Sequence, residues 1–121
     1  MVLATSNPAQ RLLFLNYLGQ VRPDELRRGQ ADIKTLLVGL PAGFRLLVDL
    51  SGLEIMDPDC APDLGRMMEL IDQSGVGLVV RVIPEPDKDI GFNILTIFHY
   101  PHHPRIITCE TMAEAVRRLS L

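Results

Sequence analysis

The 121-residue sequence has no tryptophan, and aromatic residues make up only 5% of it. That leaves no evident platform on which unpaired bases would stack. Positive charge is also short: 12 lysines and arginines stand against 15 acids, interspersed, for a net charge of -3. With no basic stripe, nucleic acid is excluded as the expected partner. Cysteine is nearly absent, and Cys60 and Cys109 alone make no disulfide framework. A reducing, cytoplasmic setting is therefore the expectation. No apolar run approaches bilayer length, so no membrane span is expected. Met1-Val2-Leu3-Ala4-Thr5-Ser6 has neither the basic start nor the apolar core of a secretory signal.

What remains is 47% hydrophobic, enough for one domain with its own core and no stapling metal. Residues 1–10 are polar and without period, and read as an N-terminal extension to a domain spanning 11–121. Arg11 to Val21 (RLLFLNYLGQV) reads as a strand closed by Gly19. Pro23-Asp24-Glu25 opens a helix whose inner face is Leu26, Ile33, Leu37 and Leu40. Leu46-Leu47-Val48 is a short apolar run that fits a central strand buried on both faces. It ends at Asp49 and a Ser51-Gly52 turn, followed by an acidic, proline-rich corner, Asp57-Pro58-Asp59-Cys60-Ala61-Pro62. Leu64, Met67, Met68 and Ile71 then recur at helical spacing.

Val76 to Ile83 reads as another buried strand and Arg105 to Cys109 as a short one. Thr111, with Glu114 three residues on, opens a last helix through a capping-box pattern. Between them, Asp89 to Tyr100 reads as a helix with Ile90, Ile94, Ile97 and Phe98 inward. Phe92, Leu95 and His99 then share the opposite face, a candidate homodimer interface. The alternation predicts an α/β layer: a mainly parallel or mixed sheet of four or five strands with about four flanking helices. Such folds place ligands and partners beyond the carboxyl ends of their strands, so the corner after Asp49 is the place to look. A receiver-type acidic pair is missing, because Gln20-Val21-Arg22 follows the first strand.

Several local motifs, in order, resemble the STAS domain family, whose best-known members are bacterial anti-sigma factor antagonists. The resemblance rests on Tyr17-Leu18-Gly19-Gln20-Val21, on Leu47 to Asp57 (LVDLSGLEIMD), on Gly75 to Arg81 and on Thr111 to Leu119. It implies a non-catalytic regulatory module that docks a protein partner, a kinase or an anti-sigma-type regulator. It places partner contacts at Asp57, Pro58, Asp59, Cys60, Asp63 and Arg66. In the antagonists the corner Asp is followed by two serines and a glycine, the second serine being phosphorylated; here Asp59 stands at that position. Asp59 has no hydroxyl to accept a phosphoryl group. Its carboxylate near a helix N-terminus imitates part of a phosphoserine's charge, or simply caps the helix. STAS-like domains are also associated with nucleotide or lipid ligands, which is the alternative reading.

Other constellations offer less. His99, His102 and His103 lie within five residues, but the last two are adjacent between prolines and converge poorly on one ion. No metal and no cofactor is expected. Cys60 near a helix N-terminus is the one candidate nucleophile, with no histidine close in sequence. Asp57, Asp59 and Asp63 lack the glycine and distal glutamate of a calcium loop. Gly75-Val76-Gly77 is not a phosphate-binding loop, and Ser51 has no local base. No nucleophile and base can be paired, so an enzyme using Cys60 or the histidines is the minority reading.

Overall fold

A computed structural model describes residues 1–85 and 99–121. Seven strands and three α-helices are present among them. In chain order they are β1 (Val2–Asn7), β2 (Leu12–Tyr17), β3 (Gly19–Val21), α1 (Pro23–Val38), β4 (Arg45–Asp49) and β5 (Leu53–Met56). There follow α2 (Ala61–Gln73), β6 (Leu78–Val82), β7 (Arg105–Cys109) and α3 (Met112–Leu119). Five strands form one sheet in the order β1-β2-β4-β6-β7, with β3 and β5 pairing apart from it. Only β1 runs antiparallel to its neighbour. The sheet is therefore mixed and mainly parallel, with β4 at its centre, as the apolar run predicts.

That run works by alternation. Leu46 joins the larger core beneath α1 and α2, while Leu47 turns to the smaller core beneath α3. Leu26, Ile33, Leu37 and Leu40 from the first helical region, and Leu64, Met67, Met68 and Ile71 from α2, are all buried in the larger core. Ala115 and Leu119 of α3 close the smaller one against Leu12, Val80 and Val82. Thr111 Oγ1 accepts the Glu114 N–H at 3.1 Å, so the predicted cap is in place. Its reciprocal bond differs by one residue: the Glu114 carboxylate accepts from Glu110 N–H, not from Thr111.

Two readings need correcting. Residues 1–10 are no loose extension, since Val2–Asn7 is a strand paired along its length with β2. Arg11 to Val21 is two strands, broken at Leu18-Gly19. Gly19 adopts φ +61°, and its N–H donates to the Gly52 carbonyl at 2.8 Å, which diverts the chain into the second sheet. Three of the expected α-helices occur among the described residues. The helix read from Asp89 to Tyr100 lies outside them except at its last two positions.

Candidate functional site

The corner is built where the chain leaves the sheet. At the carboxyl end of β4, Asp49 Oδ1 accepts both the Ser51 N–H (2.9 Å) and the Ser51 hydroxyl (2.6 Å), a local turn that reverses the chain. β5 then pairs in parallel with β3 and delivers a single 3-10 turn, Pro58–Cys60, directly into α2. The predicted cap is displaced by two residues. Asp57 Oδ1, not the Asp59 carboxylate, accepts a backbone N–H, that of Asp59 itself at 3.0 Å. The Cys60 N–H closes the turn on the Asp57 carbonyl at 2.9 Å. Asp59 is thereby held by its backbone while its side chain stays exposed.

Beneath the surface the same corner is anchored by Asp63, only 3% exposed. Its carboxylate accepts from Arg66 at 2.6 Å and from Arg27 of α1 at 3.2 Å. Its carbonyl accepts from Gln30 at 2.9 Å. Asp63 thus faces inward and ties α2 to α1, while the exposed Arg66 pairs with it from one turn further along α2. Cys60 is wholly buried with its thiol 3.5 Å from the Val21 carbonyl. Burial, then the carboxylates of Asp57 and Asp63, push that thiol's pKa up, the reverse of what an attacking thiolate needs. Cys60 is a core residue of the corner.

Of the six corner candidates, the structure leaves Pro58, Asp59 and Arg66 exposed, half-buries Asp57, and buries Cys60 and Asp63. Sequence reasoning missed Ile55, which is 60% exposed on β5, two residues before Asp57. Its signal was the pattern Leu53-Glu54-Ile55-Met56, in which strict alternation puts Ile55 on the side of buried Leu53. The short strand instead turns both Glu54 and Ile55 to solvent. Pro58, Ala61 and Pro62 of the corner are exposed as well.

The histidines are placed along α2. His99 Nδ1 lies 3.0 Å from Glu69 Oε1 and His102 Nδ1 lies 2.6 Å from Asp72 Oδ2. Gly65 makes room for the first of these, because a Cβ there would stand 2.5 Å from His99 Nε2. His99 therefore rests on α2 while staying partly exposed. Phe92 and Leu95, its expected companions, lie outside the described residues. Among the described residues no three of His, Cys, Asp and Glu converge on a metal position. None of their helices is long and apolar enough to cross a membrane. The void between the sheet and α2, lined by Tyr17, Met67, Arg81 and Tyr100, measures about 20 Å³, room for about one water molecule.

No family model matches the sequence, and no curated protein does. Solved structures match over nearly its whole length. The anti-sigma factor antagonist SpoIIAA in its unphosphorylated form aligns with a TM-score of 0.65 at 18% identity, covering 99% of this chain and 98% of that one. An uncharacterised Shewanella loihica protein with a SpoIIAA-like fold gives 0.73 at 13% identity, over 98% and 92% of the two chains. An anti-sigma factor antagonist from Mycobacterium paratuberculosis gives 0.59 at 15% identity, over 100% and 94%. At such identities the likeness is one of architecture: the chain has the SpoIIAA-like fold.

Proposed function

We propose that this domain is a non-catalytic regulatory module, of the anti-sigma factor antagonist kind, that docks a protein partner through its acidic corner. The observation that carries the reading is the pairing of Asp59 with Ile55. One is an exposed carboxylate held by a capped turn; the other is an isoleucine left in solvent four residues before it in the chain. A fixed charge next to an apolar contact is what a protein partner reads, with the apolar area supplying affinity and the charge orientation. The partner is of the kinase or anti-sigma type, and the setting is the bacterial cytoplasm. Asp57 sets the turn, Asp63 ties α2 to α1, and Cys60 fills the space beneath.

A photo-crosslinking residue at position 55, introduced into the protein in its native cell, tests this. One discrete protein adduct is expected, and Asp59→Arg should abolish it without shifting the melting temperature. The same probe at Val38, which is 88% exposed on the far end of α1, should give no such adduct. Equal labelling from both positions, or an adduct indifferent to Asp59→Arg, would sink the proposal.

The resemblance also implies that phosphoryl transfer does not switch this corner. With a STAS-type serine kinase and labelled ATP, residues 57–62 should remain unlabelled, since they contain no hydroxyl. Label recovered in that peptide would show that the acidic side chain is itself the acceptor, and that the fixed-charge reading is wrong.

A further inference from the structure

β1 is an edge strand without the usual protection. Among the described residues it pairs only with β2, so its other side offers backbone groups with no ladder partner. Which groups these are follows from one bond: the Leu18 N–H donates to the Met1 carbonyl at 2.8 Å. Antiparallel ladders alternate bonded and non-bonded pairs, so Leu3, Thr5 and Asn7 bond to β2. The N–H and C=O groups of Val2, Ala4 and Ser6 point away from it.

Natural edges are usually blunted with charge, proline or a bulge. The opposite edge of this sheet follows that practice, with Pro104 before β7 and Arg105 as its first residue. Val-Leu-Ala-Thr-Ser-Asn carries no charge and no proline, and its register with β2 has no bulge. Leu3 stands on its solvent face at 46% exposure.

We propose that β1 is a self-pairing edge, through which two copies of the chain join antiparallel about a two-fold axis at Ala4. In that register the outward groups of Ala4 meet those of Ala4 of the partner subunit, and Val2 meets Ser6 of the partner subunit. Leu3 then lies across from Thr5 of the partner subunit and loses its exposure. The occupant is a second copy because this strand suits its own reverse. Its outward donors and acceptors fall on alternate residues symmetric about Ala4, and an uncharged strand meets itself without like-charge repulsion. This assembly uses none of the corner residues and stands independently of the proposed partner.

Sedimentation of the whole chain across a concentration series, with residue-resolved amide exchange, tests the pairing. The expected result is a concentration-dependent species of twice the 13.5 kDa chain mass, in which the Ala4 and Ser6 amides become protected as it forms. In dilute samples those two should exchange freely while Leu3 and Thr5 stay protected by β2. The double variant Leu3→Lys, Thr5→Lys sets like charges opposite each other across the axis. It should sediment as a single chain with a near-native melt. The proposal is overturned by a chain that stays single at its highest attainable concentration. A dimer whose Ala4 and Ser6 amides still exchange freely overturns it as well. If the double variant fails to fold, the exchange pattern of the unaltered protein decides.

Discussion

Raising the pH above about 10, the ordinary range of tyrosine, should unfold this protein, and neither tyrosine should ionise before it does. The chain has two, Tyr17 and Tyr100, and both are buried. Burial is the main reason that each phenol's pKa is raised well beyond its ordinary value. Coulombic interaction with Tyr100 adds to it at Tyr17. At Tyr100, Arg81 works against the rise and Asp72 with it. Tyr17 donates its hydroxyl to Met67 Sδ at 3.2 Å, an acceptor that serves the phenol and offers nothing to the anion.

The sign follows from linkage. A folded-state pKa above the unfolded one means that the unfolded chain loses its proton first as pH rises. Stability is then complete below the unfolded pKa and falls above it. Each pH unit beyond about 10 costs about 1.4 kcal/mol per tyrosine. Two units acting on both residues approach the whole stability of a typical domain, about 5–15 kcal/mol. Burial also raises the pKa of Cys60 and Cys109, so the decline begins earlier, from the ordinary thiol range. Tyrosinate absorbance and far-ultraviolet circular dichroism, followed together, should change in one coincident step. Absorbance rising smoothly near pH 10 while the dichroism stays native would show that the phenols are accessible and the core is looser than described.

How much of this was legible in the sequence depends on how locally each feature is encoded. The central strand was, because Leu46-Leu47-Val48 has no polar side to offer solvent and so has to be covered on both faces. The inner face of α2 was legible for a similar reason. Its other face was not: Gly65, Glu69 and Asp72 look like ordinary helix positions until His99 and His102, some 30 residues away, settle against them. β1 escaped because Val-Leu-Ala-Thr-Ser-Asn alternates small with polar residues and has little hydrophobic contrast. Only pairing with β2 makes it a strand. In the corner, acidic residues at positions 57, 59 and 63 all resemble caps. Backbone geometry alone assigns the cap to Asp57, the anchor to Asp63 and the exposed charge to Asp59.

The two ends of the central strand should answer to mutation in opposite ways. Phe44, at the amino end of β4, is fully buried, and the chain around it is drawn tight. Its carbonyl accepts from the Gly77 N–H at 2.8 Å, and the Gly75 carbonyl accepts from Gly43 N–H at 2.7 Å. Gly75 sits at φ +89° with the Ala42 Cβ 3.0 Å from where its own would be, so little room exists for this end to collapse into a void. Phe44→Ala should therefore cost about 3–5 kcal/mol, the upper part of the large-to-small range, because a cavity persists where the ring was. Phe44→Leu should recover much of that loss. The carboxyl end lies beyond Asp49 and leads to the corner, where Asp59→Arg exchanges one exposed side chain for another and should move stability by no more than about 0.5 kcal/mol. Partner capture at position 55 should show the reverse ranking. It should be lost in Asp59→Arg and retained, per folded molecule, in Phe44→Ala, with denaturant melts supplying the folded fraction. A Phe44→Ala protein that melts like the unaltered chain would show that the core beneath α1 and α2 does not depend on this ring. A folded Phe44→Ala protein that no longer captures the partner would show that the two ends of β4 are coupled, and that the corner is not an independent site on a rigid sheet.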